Sequence, residues 1–461
     1  MVDRHILVLA AGKGTRMRSN RPKLLHHIAG RSLIDRVLRS AQALRPNTIT
    51  VVVGHEASAL QAALIHHPGI RFVHQERQLG TAHALLQSSS SFEGIQGSLI
   101  VLSGDVPGVK IQTLSRLIET HETTGAVATI LTAHLSNPYG YGRVIRKNGR
   151  FVQIVEETDA TTKQRAGTEI NSGIYVFDLE LLFKTLALIP EAGPKHERYL
   201  PAIFALYKKR HLRVETVVAV DSNEIRGINS QIDLAEVGKM VRQNKNEELM
   251  ETGVTFEDPA TTYIDNDVKV GPGTIIHANV TLEGRTIIGA RCEINSGVRI
   301  INSTVEDDVT IYNFCVITDS RLASGTRIGP FAHLRPGTVM EEGAKVGNFV
   351  ELKQTNLGAG SKANHLSYIG NATLGREVNI GAGTITCNYD GNTKHETIIE
   401  DSVFVGSGTQ LVAPVTIGQS AYVAAGSCVT DDVPAGALAI ARGHQTNKSG
   451  WVEQKRQKKE I

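Results

Sequence analysis

The chain has 461 residues, of which 41% are hydrophobic and only 5% aromatic, enough apolar material for two or three domains with aliphatic cores. Its 49 basic and 46 acidic residues leave a net charge of +3, which excludes the strongly basic face of a nucleic-acid or membrane-surface protein. Four scattered cysteines, Cys292, Cys315, Cys387 and Cys428, show no CxxC or metal-ligand spacing, so reduced thiols are expected rather than disulfides or a zinc site.

From residue 5 to about 228, short apolar stretches alternate with segments of helical period. Residues 6–9, 49–53, 70–73, 99–102 and 127–131 read as strands, and Leu33, Ile34, Val37, Leu38, Ala41 and Leu44 recur with helical spacing. This alternation predicts an α/β doubly wound Rossmann-like sheet of parallel strands, with ligands at the carboxyl ends of those strands. The opening apolar run at 6–11 is too short for a signal segment, and no stretch approaches the roughly 18 apolar residues of a membrane span. A soluble, cytoplasmic protein is therefore expected.

The first strand runs into Leu9, Ala10, Ala11, Gly12, Lys13 and Gly14, small residues that let backbone amides approach phosphate oxygens. It is neither a P-loop, which needs GxxxxGK[ST], nor a dinucleotide fingerprint, because Met17 stands where the third glycine belongs. Arg16 and Lys23 add two cations to the same loop. Asp105 follows the strand at 99–102, at the active edge of the sheet, where a hard carboxylate suits Mg²⁺; taken alone it equally fits a turn aspartate. Gln75, Gly80, Thr81, Gly142, Glu156 and Asn171 are polar or small residues near strand ends, each unremarked on its own.

Residues 230–251 are polar, lack Pro and read as a linking helix. Beyond it an aliphatic residue returns every sixth position, as at Ile264, Val270, Ile276, Leu282, Ile288, Ile294 and Ile300, and again from Ile399 to Val429. Gly often follows it, which suits a backbone that bends tightly at regular intervals. Three hexapeptides make one coil of about 18 residues, so the segment predicts a parallel β-helix of roughly nine or ten coils, with the aliphatic residue inside. The expected organisation is a nucleotide domain at 1–229, a link at 230–252, the β-helix at 253–437 and a tail at 438–461, whose Lys455, Arg456, Lys458 and Lys459 read as solvated.

A β-helix needs no loops, yet the register breaks at residues 386–396, a polar excursion. His365 and Tyr368 lie about one coil earlier, so the excursion is expected to fold beside His365. An imidazole titrates near neutrality, as removal of a proton from an amine requires. Cys387 lacks a paired base in the sequence and is not read as a nucleophile.

The runs LAAGKGTRM with PK, QLGTAHA, GDVP, GYGR, IVEETDA, EINSGI and GINSQ resemble the sugar-1-phosphate nucleotidylyltransferases. HLSYIG, NIGAGT, CNYDG and FVGSGTQ resemble the hexapeptide acyltransferases, whose β-helix is left-handed. Up to about His444, the whole chain is similar to the bacterial bifunctional N-acetylglucosamine-1-phosphate uridyltransferase/glucosamine-1-phosphate acetyltransferase family. That resemblance implies acetylation of glucosamine-1-phosphate by acetyl-CoA. UMP transfer from UTP to N-acetylglucosamine-1-phosphate follows, supplying peptidoglycan and lipopolysaccharide precursors.

By the same resemblance Leu9, Ala10, Ala11 and Gly12 contact the nucleotide, Gln75 with Gly80 and Thr81 reads the uracil, and Lys23 and Arg16 face phosphates. Gly142, Glu156 and Asn171 would hold the amino sugar, while Asp105 and Asn229 bind Mg²⁺ beside Ser103 and Gly104. The family commonly has Tyr where this chain has Ser103, which takes an aromatic side chain away from that position. On the β-helix the resemblance implies His365 as general base, and Asn388 and Tyr389 against acetyl donor and sugar. Arg335, Lys353, Tyr368 and Asn379 would take the sugar phosphate, and Ala382, Ser407, Ala425 and Arg442 would line the acetyl-CoA groove. A homotrimer with its site between neighbouring prisms is also implied.

Two other readings compete. A single-activity sugar-1-phosphate nucleotidylyltransferase with a structural or regulatory β-helix leaves His365 and the excursion without a role. A nucleotide-sensing scaffold without turnover leaves Lys23, Asp105 and Asn229 together unexplained.

Overall fold

The computed structural model describes residues 2–191 and 196–458, which form two compact units divided between Val241 and Arg242. Lys459 of the basic tail lies outside the described residues. In the first unit the strands are β1 (Arg4–Ala10), β2 (Thr48–Val53), β3 (Ile70–His74), β4 (Ser98–Ser103) and β5 (Ala128–His134). They continue with β6 (Arg143–Lys147), β7 (Arg150–Val155), β8 (Glu169–Asp178) and β9 (Val214–Val218). The sheet order is β9-β5-β8-β4-β1-β2-β3, and β6 and β7 form a hairpin joined to β8.

Alternation along β1 builds both layers of the core. Ile6, Val8 and Ala10 pack with Ile34, Val37 and Leu38 of α1 (Leu33–Ala43) on one face, while Leu7 packs with Leu85, Phe177 and Phe204 on the other. Helix α1 starts where Ser32 accepts a hydrogen bond from the Asp35 amide, an N-cap just before the first apolar residue.

The sheet departs from the parallel expectation at β8, which runs antiparallel to β4 and β5, and at the antiparallel β6–β7 hairpin beside it. Glu169 stands opposite His134, so the chain re-enters the sheet at the edge it left, after building the β6–β7 hairpin there. A return to the same edge without a crossover forces antiparallel pairing.

Helix α2 (Gln231–Glu251) occupies the expected link. The second unit is a left-handed parallel β-helix. Down one face, Ile276 pairs with Ile294, Ile294 with Ile311, Ile311 with Ile328 and Ile328 with Val346, intervals that follow from the hexapeptide period. The aliphatic ladder is buried in one continuous cluster, with Val270 only partly buried against it.

The glycines after the ladder residues have a different reason from the one expected. Gly271, Gly289 and Gly381 do not take left-handed backbone; instead a Cβ there would lie 2.6, 2.5 and 2.5 Å from atoms of the next coil. They are small because coils stack, not because the chain bends. The bends fall at other positions, including Phe314, Phe331, Phe349 and Leu366, with φ of 58°, 54°, 56° and 50°. None of the described helices is long and apolar enough to cross a membrane.

Candidate active sites

Three loops of the first unit converge at the carboxyl edge of the sheet on a cavity of about 290 Å³. Leu9, Ala10, Ala11 and Gly12 line it from the turn after β1, and Gln75, Gly80 and Thr81 line it from beyond β3. Lys23, Ser103 and Asp105 close it. Gly104 stands just behind, its amide donating to the Leu9 carbonyl at 2.9 Å, which ties the Asp105 loop to the glycine turn. Gln75 is buried and donates through Nε2 to the Gly80 carbonyl at 3.2 Å.

Lys23 is the hub of this site. Its Nζ lies 2.5 Å from Asp105 Oδ2 and 2.9 Å from Asn229 Oδ1, and Arg16 also reaches Asn229 Oδ1, at 3.0 Å. Asn229 comes from far along the sequence because the Ile228 amide donates to the Asp105 carbonyl at 2.9 Å. Asp233, in the first turn of α2, accepts from the Asn229 amide at 2.9 Å and holds that segment. Two oxygen donors, one of them anionic, thus already point at a single cationic atom. A hard, oxygen-seeking divalent cation fits that donor set. Ser103 donates to Asp105 Oδ1 at 2.8 Å, so the hydroxyl at this position orients the carboxylate.

Gly142, Glu156 and Asn171 form a second group. A Cβ on Gly142 would lie 3.5 Å from the Glu156 carboxylate, and the Asn171 amide donates to the Gly142 carbonyl at 2.9 Å. Burial pushes the Glu156 carboxyl above its ordinary range, helped by Asp159. Tyr199 joins this group to the cavity it lines. Its hydroxyl donates to Glu197, and that bond, with burial and the charges of Glu197 and Glu156, pushes its pKa up to about 12.

On the β-helix, His365 ends a strand (Lys362–His365) and stands beside Asn348 of the preceding coil. Its Nδ1 lies 2.9 Å from Asn348 Oδ1. With Nδ1–H donating there, the Nε2 lone pair faces outward.

The excursion lies elsewhere. Asn388 Nδ2 donates to Asn371 Oδ1 at 2.7 Å, and a Cβ on Gly370 would touch both Tyr368 Oη and Asn388 Nδ2. Lys353 meets Lys394 of the excursion, and the hydrogen bond between the two amines, the Lys394 charge, burial and the Arg335 charge lower the Lys353 pKa. Arg335 also pairs with Glu351 at 2.7 Å. Tyr389 is exposed and bonds within the loop, to the Gly391 carbonyl at 2.5 Å. Asp390 accepts the amides of Asn392 and Thr393 at 2.7 Å each and contacts His395 Nε2 at 2.7 Å. Together these bonds hold its carboxyl well below the usual range.

The expectation that the excursion folds beside His365 does not hold within one chain. His365 sits at the corner turned by Leu366, and the excursion sits at the next corner, above Asn371, both residues with left-handed φ of 50°. About 3.3 Å per residue over the intervening strand separates those corners by roughly 16 Å. The Tyr368 hydroxyl touches the excursion side.

Ala382, Ser407 and Ala425 occupy equivalent places on successive coils. The Gly408 amide donates to the Ala382 carbonyl at 2.7 Å and the Gly426 amide to Ser407 at 2.8 Å, while Arg442 donates to the Ala425 carbonyl at 2.9 Å. Asn379 lies on the neighbouring face, between Lys362 and Phe404.

Several residues of these sites escape the motif reading. Gln78 bonds to the Ala11 carbonyl inside the cavity, and Glu197 and Tyr199 line its far wall from an unpatterned stretch. Asn348 was legible in principle, since it precedes His365 by one coil.

The sequence profile of MobA-like NTP transferase domains matches residues 6–161, and that of the GMPPB C-terminal domain matches residues 260–355. A bifunctional protein GlmU from Trichlorobacter lovleyi is 45% identical over 451 residues, covering 98% of both chains. That from Koribacter versatilis is 46% identical over 456 residues, covering 98% of this chain and 97% of the other. That from Shouchella clausii is 43% identical over 454 residues, covering 98% and 99%. With such identity sustained across both units, the chain belongs to the bifunctional GlmU family.

Proposed function

We propose that this protein is a cytoplasmic enzyme with two catalytic centres. It acetylates glucosamine-1-phosphate with acetyl-CoA, then transfers UMP from UTP to the N-acetylglucosamine-1-phosphate so formed, releasing pyrophosphate and UDP-N-acetylglucosamine for the cell envelope. Residues 1–229 carry uridylyl transfer, 230–252 link, 253–437 carry acetyl transfer, and 438–461 form the tail. The observation that carries this reading is the coexistence on one chain of the Lys23–Asp105–Asn229 cluster and the His365–Asn348 pair.

In uridylyl transfer a phosphate oxygen of the sugar attacks the α-phosphorus of UTP; the new O–P bond forms as the bond to pyrophosphate breaks. The nucleophile is already anionic at neutral pH, so alignment and charge neutralisation dominate. The amides of 10–12 cradle phosphate, Lys23 and Arg16 neutralise charge, Gln75 with Gly80 and Thr81 reads the base, and Gly142, Glu156 and Asn171 hold the sugar. Asp105 and Asn229 would hold Mg²⁺, which when bound screens the phosphate charge.

In acetyl transfer the amine of glucosamine-1-phosphate attacks the thioester carbonyl while His365 Nε2 takes its proton, and CoA leaves as the thiol. Asn348 holds the tautomer that leaves Nε2 free. Arg335 and Lys353, with Tyr368 and Asn379, take the sugar phosphate. Asn388 and Tyr389 meet the reacting groups, and Ala382, Ser407, Ala425 and Arg442 line the acetyl-CoA groove. Separation of His365 from the excursion within one prism favours a homotrimer, in which a neighbouring prism completes each site.

Two assays test this: acetylation of glucosamine-1-phosphate, and pyrophosphate release from UTP with N-acetylglucosamine-1-phosphate. Both activities are expected, with Asp105→Asn abolishing only the second and His365→Ala only the first. Absence of acetylation would leave a single-activity nucleotidylyltransferase. A monomer by light scattering with full acetyl transfer would overturn the shared site.

A further inference from the structure

We propose that Asp35, His66 and His67 form a binding site for a divalent transition metal of the zinc class, distinct from the magnesium site. None of the three lines the nucleotide cavity. Among the described residues they are a group of three potential ligands whose donor atoms all lie within 4.8 Å of one another. Asp35 sits in the first turn of α1, and the two histidines lie just before β3. Asp35 and His67 are 6% and 8% exposed, whereas His66 is open to solvent.

The donor chemistry fits. Nε2 of His67 and Nε2 of His66 approach the same oxygen, Asp35 Oδ1, at 2.8 and 3.2 Å. Zinc bonds to nitrogen and carboxylate oxygen are about 2.0–2.2 Å, which makes the edge of a tetrahedral site roughly 3.3–3.5 Å. The 3.2 Å separation is near that edge and the 2.8 Å one about 0.5 Å short of it, so a modest side-chain movement admits the ion.

The outer contacts are those of a metal site. Arg39 Nε donates to Asp35 Oδ2 at 2.9 Å and leaves Oδ1 facing the imidazoles. His67 Nδ1 lies 3.2 Å from Gln42 Oε1, an amide oxygen able to hold an Nδ1–H in the way the second ring nitrogen of a metal-bound histidine commonly is held. His67 Nε2 faces Asp35 Oδ1 from 2.8 Å, so its lone pair and the carboxylate oxygen can share one ion. The guanidiniums of Arg39 and Arg31, 2.9 and 3.9 Å from Asp35 Oδ2, oppose a dication and weaken the site.

The ion would tie α1 to the turn before β3, the edge strand of the sheet, whose chain continues into Gln75 of the nucleotide cavity. Its role is thus structural.

The test is a Co²⁺ titration of the full chain, with excess Mg²⁺ present to fill the oxygen-ligand site, followed by displacement with Zn²⁺. We expect visible absorption from a low-coordinate cobalt site at one equivalent per chain, and a rise in the unfolding midpoint with zinc. His66→Ala, at an exposed position that should not disturb folding, should weaken binding by about tenfold or more and remove the thermal shift. Asp35→Asn should do the same if it folds. No cobalt band in the parent protein, or equal affinity in His66→Ala, overturns the proposal. Neither result bears on uridylyl or acetyl transfer.

Discussion

Gly14 offers a sharp test of how the glycine turn serves uridylyl transfer. It takes φ 59° and ψ 29°, and a Cβ there would fall 2.6 Å from Lys23 Cβ. The left-handed backbone alone costs an alanine about 1–2 kcal/mol. Carbon atoms prefer roughly 3.5–4.0 Å, so Lys23 must also retreat by about 1 Å. Lys23 is pinned by Asp105 and Asn229 at 2.5 and 2.9 Å, and a retreat of its backbone end pulls the ammonium out of that position. Misplacement of a reacting or charge-bearing group by about 1 Å costs on the order of 10²-fold in rate. Gly14→Ala should therefore slow pyrophosphate release about 100-fold, leave acetyl transfer unchanged, and lower the melting temperature of the first unit by about 2–8 °C. Gly12→Ala is the comparison: no atom lies within 4 Å of its Cβ and its φ is ordinary, so its melting temperature should not move. A Gly14→Ala enzyme with parental pyrophosphate release and unchanged melting would refute this account of the turn.

Asn348→Ala should lower kcat for acetyl transfer by about 10–100-fold with little change in the KM for glucosamine-1-phosphate, because it frees the His365 ring rather than removing a sugar contact; a KM effect alone would count against it. Cys387→Ser should keep acetyl transfer near the parental rate, since burial raises the Cys387 pKa and keeps the thiol protonated; a complete loss in a folded variant would make it a nucleophile. The raised Glu156 carboxyl means that the folded state holds its proton more tightly than the unfolded chain, so its contribution to stability falls as pH rises above the ordinary value of about 4.3. Glu156→Gln should thus gain stability over the parent as pH goes from about 4 to 7, and a gap that shrinks over that range would reverse the sign.

Much of the architecture was readable from period alone. The six-residue return of aliphatics demands a coil of about 18 residues, and the ladder pairs Ile276, Ile294, Ile311, Ile328 and Val346 accordingly. That the loops after β1 and β4 come together was legible because strand ends in an α/β sheet face one edge, and Ala10, Lys23 and Asp105 line one cavity there. The direction of β8 was not, because apolar alternation carries no sign for parallel or antiparallel pairing.

What the sequence by itself determined about this protein is the pair of scaffolds and the chemical kinds of residue placed on them, because burial periodicity and side-chain chemistry are local properties. Which of those residues share a site was decided only by tertiary structure. Lys23 meets Asn229 through the bond from Ile228 to Asp105, and His365 is parted from the excursion by one face of the prism. Even the ladder glycines owe their small size to the coil stacked next to them, a distance no sequence spacing contains.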